Sequence, residues 1–93
     1  MKYDVEYTDT FGGEVNYSWV QRATIEMPEL THYGYDGATN YCKANKVYRR
    51  ELMRRAKAVV GLTNARGRTN DYGETIDFRP YRSCTVLMIT PNY

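Results

Sequence analysis

A single amphipathic segment, residues 46–60, sets the fold class of this 93-residue chain. Its apolar residues recur at helical spacing and cover an arc of about 140° at roughly 100° per residue. Gly61 suits the left-handed cap that ends many helices, and Leu62 suits the apolar contact that accompanies this cap. One helix with one apolar face buries that face against another element. The stripe consists of Tyr48, Leu52, Met53, Ala56, Val59 and Val60.

Alternating polar and apolar residues predict a β-hairpin before the helix. Residues 2–9 alternate cleanly, and residues 15–25 continue the pattern after a turn at Phe11-Gly12-Gly13. Gln21 interrupts the apolar face of the second strand and indicates either a bulge at that position or the exit of the strand from the core. The residues predicted to share this apolar face are Val15, Tyr17, Trp19, Ala23 and Ile25.

Three more strands are predicted after the helix. Residues 65–69 and 74–78 flank the turn sequence at residues 70–73, which gives a second hairpin. Residues 84–90 are apolar on both faces, which is typical of a central strand, and Cys84 is expected to be buried there.

Prolines and an aperiodic stretch mark the expected boundaries. Pro80 and Pro91 are predicted to end the last two strands. Residues 29–45 show no sustained period and are predicted to form a long ordered loop, with Asn45 as the helix N-cap. The element order is ββαβββ. The sequence therefore predicts one α+β domain over residues 1–93, in which an antiparallel sheet of four to five strands carries one amphipathic helix on one face.

Positive charge is concentrated in residues 43–68, which hold nine of the 13 basic residues and one acid, Glu51. Glu51 is predicted to pair with Arg55 one helical turn later. Four basic residues of the helix share a face beside the apolar stripe, and we name them the basic ridge. A ridge of one sign suits either a nucleic-acid backbone or an acidic protein surface, although a solvated helix face gives the same pattern. The basic ridge consists of Lys46, Arg50, Arg54 and Lys57.

Two further sets of residues are candidate partner contacts. Arg66 and Arg68 alternate around Gly67, so they either extend the basic ridge or pair with the nearby acids Asp71 and Asp77. The loop at residues 29–45 is rich in tyrosine, a residue that binding loops use for contact area with a polar tip. Its candidate contacts are Tyr33, Tyr35 and Tyr41.

The sequence offers little for catalysis or for a cofactor. His32 and Asp36 resemble an acid–base pair but lack a nucleophile at a recognised spacing, so no enzymatic activity is expected. His32 with two cysteines leaves a tetrahedral zinc site one ligand short, so no metal or other cofactor is expected. No apolar run approaches 18 residues and no secretory leader is evident, which predicts a cytoplasmic protein without membrane partners.

Three segments of the chain resemble a group of small uncharacterised phage and prophage proteins. They are residues 9–20 (DTFGGEVNYSWV), residues 55–63 (RAKAVVGLT) and residues 78–93 (FRPYRSCTVLMITPNY). The resemblance implies a non-enzymatic accessory protein in the host cytoplasm that binds and inhibits a host protein, such as an anti-CRISPR or another anti-defence factor. The partner is then a host protein with an acidic or a nucleic-acid-binding surface. The alternative is a small regulatory module that binds nucleic acid through the basic ridge.

Overall fold

The strands and the helix follow the predicted order ββαβββ in a computed structural model that describes residues 1–28 and 41–92. The five strands form one antiparallel sheet in the order β2-β1-β5-β4-β3. The predicted α+β class is therefore confirmed, and the doubly apolar last strand lies at the centre of the sheet. The elements are β1 (Lys2–Phe11), β2 (Glu14–Glu26), α1 (Tyr41–Val59), β3 (Gly67–Asp71), β4 (Ile76–Pro80) and β5 (Thr85–Asn92).

The core lies between α1 and one face of the sheet. Helix residues at spacings of four bury Tyr48, Leu52 and Ala56, as the apolar stripe predicts. The hydroxyl oxygens of Tyr3 and Tyr48 lie 2.9 Å apart and share a buried hydrogen bond, so that the polar tips of both rings are satisfied inside the core. The sheet contributes Tyr3, Val5, Ile25, Ile76, Phe78, Leu87 and Ile89.

The two ends of α1 compare differently with the sequence. The helix begins at Tyr41, so Asn45 lies inside it and the prediction of an N-cap there is wrong. Apolar periodicity reveals a helix only where the helix packs on the core. Tyr48 is the first buried residue of α1 among the described side chains, so the turns before it carry no such pattern. The C-terminal cap is confirmed, because Gly61 has φ of 81° and Leu62 donates its N–H to the carbonyl of Lys57 at 2.8 Å.

Pro80 is the last residue of β4, as predicted, whereas β5 continues past Pro91 to Asn92, so the prediction that Pro91 ends its strand is wrong. Pro80 is opposite Gly67 in the β3–β4 ladder, and Pro91 is opposite Tyr3 in the β1–β5 ladder. The alternation of an antiparallel ladder points each proline nitrogen toward the β4–β5 side. The β4–β5 ladder spans only residues 76–78 and 87–89, so neither missing N–H costs a hydrogen bond.

The β1–β2 hairpin contains a large bulge that the sequence places wrongly. Gln21 pairs regularly with Tyr7, and the register breaks further on, where Thr8 is opposite Val20 but Thr10 is opposite Val15. The extra residues leave Tyr17 and Trp19 half exposed, so the predicted apolar face holds only near Ile25. The carboxylate of Asp9 on the neighbouring strand stabilises the bulge by hydrogen bonds, and no alternation pattern records such a contact.

Asn16 and Ser18, within this bulge, donate three hydrogen bonds to the carboxylate of Asp9. The donors are the Asn16 amide at 2.9 Å, the Ser18 backbone N–H at 2.9 Å and the Ser18 hydroxyl. These bonds, led by the one from the Ser18 side chain, hold the pKa of Asp9 well below its ordinary value of 3.8. They also fix Tyr17 at a φ of 55°, a conformation that L-residues rarely adopt.

We expect the bulge to loosen in acid. Because the pKa of Asp9 is lowered by folding, its contribution to stability is complete above pH 3.8 and is lost as the pH falls below that value. The chain has one tryptophan, Trp19, which stacks edge-on against Tyr7 at 5.2 Å and therefore reports on this region. Trp19 fluorescence followed from pH 6 to pH 2 should show a transition that is shifted or absent in Asp9→Asn. An identical acid transition in wild type and variant would contradict this assignment.

Candidate binding groove

The outer face of α1 presents only part of the basic ridge to solvent. Lys46 and Arg50 are exposed, and within the described part of the chain neither has a hydrogen-bond or ion-pair partner. Arg54 and Lys57 make specific contacts with the rest of the fold. The four residues therefore share a helix face, as their spacing predicts, but only two of them are unengaged among the described residues.

Glu51 engages two of the arginines of α1. Arg54 donates two hydrogen bonds to its carboxylate, and Arg55 donates one at 2.9 Å. Hydrogen bonds from Arg54 and then Arg55 lower the pKa of Glu51 to about 2. Arg55 also donates to the carbonyl of Glu26 at 2.8 Å, which ties α1 to the end of β2. The predicted Glu51–Arg55 pair is confirmed, whereas the engagement of Arg54 was not foreseen.

Lys57 stabilises the fold from within the ridge. Its ammonium nitrogen lies 4.1 Å from the centre of the Phe78 ring and donates to the carbonyl of Ala65 at 3.0 Å. It thereby connects α1 to the buried face of β4 and to the segment that leads into β3. Spacing along the helix does not reveal these contacts of Lys57, because Ala65 and Phe78 lie 8 and 21 positions away in the sequence.

Replacing Lys57 with methionine should therefore lower stability. Methionine keeps the apolar stem but removes the cation–π contact and the hydrogen bond, which together contribute about 1–2 kcal/mol. Thermal denaturation should show a melting temperature lower by about 5–10 °C. The matched variant Arg50→Met, at an exposed position of the same helix, should change stability by less than about 0.5 kcal/mol. Equal melting temperatures for the two variants would exclude this role.

Arg49 organises the β3–β4 turn. Its guanidinium lies 3.1 Å from the Asp71 carboxylate and donates to the carbonyl of Gly73 at 3.2 Å. Asp71 in turn accepts the backbone N–H of Gly73 at 2.8 Å. The turn is closed by the Tyr72 N–H and the Thr75 carbonyl, so it lies two residues later than predicted. Arg49 lies within the apolar arc of the helix, and a charged residue at such a position indicates an ion-pair partner within the fold. The sequence does not show that this partner is Asp71.

These contacts line a groove between α1 and the β3–β4 hairpin, which we name the basic groove. Its volume is about 650 Å³. Met53, Ala58 and Ile76 supply apolar lining, and Asp71 lies on its β3 side. The groove thus offers an apolar surface with positive charge along the helix side. Its basic side chains are Arg49, Arg50, Arg54 and Lys57.

The other candidate contacts lie apart from this groove. Arg68 alternates with Thr69 and lies on the sheet face opposite α1, next to Arg79 in the ladder. Arg66 is exposed before β3, and neither arginine pairs with Asp71 or Asp77, because Asp71 binds Arg49 and Asp77 accepts from Asn70 at 2.9 Å. The basic residues therefore do not form one continuous track.

The predicted tyrosine contacts are outside the structural description. Tyr33 and Tyr35 fall between the two described ranges, and so do His32 and Asp36. Tyr41 begins α1, but its side chain is not among those described.

Apart from Tyr72 in the β3–β4 turn, the exposed aromatic side chains among the described residues lie near the tip of the β1–β2 hairpin and in the β4–β5 turn. Phe11 is 81% exposed and Tyr81 is 66% exposed, and the half-exposed Tyr17 and Trp19 belong to the same end of the sheet. Cys84 is also exposed in this turn, because β5 begins one residue after it, so the prediction that it is buried is wrong.

Within residues 1–28 and 41–92, no group of three or more histidine, cysteine, aspartate or glutamate side chains is arranged to hold a metal ion. No helix in the described part of the chain is long and apolar enough to cross a membrane. Comparisons with protein-family models, with curated proteins and with solved structures find no match.

Proposed function

We propose that this protein is a non-enzymatic binding protein whose basic groove holds an acidic segment of a partner protein. The observation that carries the proposal is the composition of the groove. Four basic side chains lie beside an apolar surface in a cavity of about 650 Å³. Two of them are paired with acids, Arg49 with Asp71 and Arg54 with Glu51, whereas Arg50 has no ion-pair partner among the described residues. Charged side chains on the helix steer an acidic segment, and the apolar lining supplies contact area.

A protein segment is favoured over nucleic acid by the placement of the charges. A phosphate backbone binds best to a continuous row of unpaired cations, because each phosphate that such a cation neutralises releases counterions condensed on the nucleic acid. Here Arg54 is engaged by Glu51, Lys57 lies against Phe78, and Arg68 lies on the opposite face of the sheet. The remaining charge is local and borders apolar surface, which suits a short acidic peptide segment.

The direct test uses a fluorescein-labelled peptide in which glutamate and threonine alternate over about seven residues, a length that spans β3 in extended form. Fluorescence anisotropy should show saturable binding of this probe, and no binding of the matched peptide in which lysine replaces glutamate. Labelled single-stranded and duplex DNA are measured in parallel. Tight binding of either DNA together with no binding of the acidic peptide would establish the nucleic-acid alternative and overturn the proposal.

The partner can be sought by photo-crosslinking in host cells. A benzophenone amino acid at Thr63, which is exposed and lines the groove, should crosslink to a protein partner. The same group at Thr24, an exposed threonine on the sheet face away from α1, serves as the control. A crosslink at Thr63 that disappears with Arg50→Glu supports binding in the groove. A partner captured equally from Thr63 and Thr24, or a nucleic acid captured from Thr63, would contradict it.

The resemblance to small phage proteins motivates a narrower proposal, that the partner is a host defence protein and that binding inhibits it. The specific host defence protein that we propose as partner is a CRISPR effector. Expression of the protein in host cells with active CRISPR immunity should restore plaque formation by a targeted phage, and Arg50→Glu should abolish the restoration. Continued immunity in cells that accumulate the wild-type protein would exclude this form of the function.

A further inference from the structure

We infer that the acidic segment binds as an additional β-strand on the outer edge of β3, with its acidic side chains at every second position in the basic groove. This inference rests on the proposed function and specifies the conformation and side-chain pattern of the partner segment. An extended peptide that extends a sheet gains affinity from main-chain hydrogen bonds and specificity from alternate side chains.

The outer edge of β3 carries backbone groups that are ready to pair. β3 ends the sheet, and the ladder it forms with β4 alternates between hydrogen-bonded and non-hydrogen-bonded pairs. The Tyr81 N–H donates to Arg66 at 3.0 Å and the Tyr72 N–H donates to Thr75 at 2.8 Å, which fixes the phase of the alternation. The pairs Arg68–Arg79 and Asn70–Asp77 are then hydrogen bonded across the ladder.

The intervening residues of β3 face away from β4. The N–H and carbonyl groups of Gly67, Thr69 and Asp71 point toward the free edge, and within the described part of the chain no backbone group pairs with them. Because side chains alternate, Thr69 and Asp71 lie on the same sheet face as α1, and both line the basic groove. The free backbone groups and the groove therefore belong to the same residues.

The spacing of the helix arginines matches that of an added strand. Arg50 and Arg54 are four residues apart, which is about 6 Å along the axis of α1. Alternate residues of an extended strand are about 6.6 Å apart and point to the same face. Two acidic side chains at positions i and i+2 of the segment can therefore reach these two arginines at once, and the one at Arg54 exchanges with the carboxylate of Glu51. The side chain at position i+1 points to the other face of the sheet. We therefore expect acidic residues to be required only at alternate positions of the segment.

The other free edge of the sheet is poorly suited to the same role. β2 carries Glu14 and Glu26 near its two ends, and these charges repel an acidic segment. Its pairing with β1 shifts register at the bulge, where Tyr17 has a positive φ, and bulges of this kind block the addition of a strand. Both the charge along the edge strands and the regularity of their pairing therefore favour β3 over β2 as the edge to which the segment adds.

N-methylation of the glutamate–threonine peptide tests the inference directly. In one probe the glutamates are N-methylated, and in a second the threonines are. An added strand directs the N–H groups of one set to β3 and those of the other set to solvent, so only one probe should lose affinity, by about tenfold or more. Loss with methylated glutamates indicates an antiparallel strand, and loss with methylated threonines indicates a parallel one. Equal affinities of the two methylated probes, whether both strong or both weak, would overturn the inference.

A pair of variants at one edge position gives an independent test. Thr69→Pro removes an N–H that points away from β4, so the ladder keeps its hydrogen bonds while the edge loses a donor. Affinity for the unmethylated acidic peptide should fall about tenfold relative to Thr69→Ala, which keeps the N–H and removes the same side chain. Equal affinities of the two variants, with both folded by circular dichroism, would count against strand addition.

The outcomes separate this inference from the proposed function. If the acidic peptide binds, loses affinity with Arg50→Glu and is indifferent to N-methylation, the groove binds acidic segments but strand addition is wrong. If the acidic peptide does not bind at all, both the proposed function and the inference fail.

Discussion

The Arg50→Glu variant is expected to bind the alternating glutamate–threonine peptide at least about tenfold more weakly than the wild-type protein. Arg50 is the one basic side chain of the groove without a hydrogen-bond or ion-pair partner among the described residues. Reversing its charge places a carboxylate where the proposal requires a cation, so attraction becomes repulsion. Because Arg50 is exposed and makes no such contact within residues 1–28 and 41–92, the melting temperature should stay within about 3 °C of the wild type.

The control for Arg50→Glu is Arg82→Glu, which makes the same change of net charge at an exposed arginine outside the groove. It should leave the affinity for the acidic peptide within about twofold, since separated surface charges are screened beyond about 10 Å at ordinary salt. A comparable loss with both variants would show that binding depends on overall charge. In that case the groove would not be the site.

Replacing Gly67 with alanine is expected to cause the largest loss of stability, about 2–3 kcal/mol, with a melting temperature lower by about 10 °C or more. A Cβ atom at this position would lie 2.2 Å from the Arg79 carbonyl oxygen and 2.7 Å from both a Phe78 ring carbon and the Pro80 Cα. Two of these atoms belong to the backbone of β4, which cannot move without breaking the ladder. Chemical denaturation monitored by circular dichroism would measure the loss.

The matched variant is Gly73→Ala, which tests a different requirement for glycine. Gly73 has φ of 91° but open space around its Cβ position, so alanine there meets backbone strain without a clash and should cost about 1 kcal/mol. The expected order of stability is wild type, then Gly73→Ala, then Gly67→Ala. Full stability of the Gly67→Ala variant would mean that β3 does not approach β4 as closely as described here.

The features that the sequence predicts correctly are those encoded by neighbouring residues. The order of strands and helix follows from local periodicity, and the cap at Gly61 follows from a glycine directly after the apolar stripe. The central position of β5 follows from its apolar residues on both faces, and the Glu51–Arg55 pair from spacing along one helix. The boundaries of α1 and of the β3–β4 turn shift by two to five residues, because tertiary packing decides where an element ends.

The features that the sequence does not reveal depend on contacts between distant positions. From the sequence alone, Lys57 is indistinguishable from a solvated residue of the basic ridge, and its contact with Phe78 appears only in the fold. Arg49 likewise interrupts the apolar stripe without a visible reason until the fold brings Asp71 beside it. The bulge in β2 requires the side chain of Asp9, which lies on the other strand. The groove arises from these contacts. The sequence therefore predicts the charged face of the helix but not the cavity that this face lines.

The carboxylate of Glu51 has a consequence for how binding responds to ionic strength. Arg54 is already neutralised by Glu51 in the free protein, so a partner that binds Arg54 exchanges one ion pair for another and releases few counterions there. Lys57 is likewise held by Phe78 and the Ala65 carbonyl. Four independent cations on a nucleic acid would give a slope of roughly −3 to −4 in log K against log salt. Binding in the basic groove should show a slope nearer to about −1, set chiefly by Arg50, which makes this groove a site that keeps its affinity at high salt.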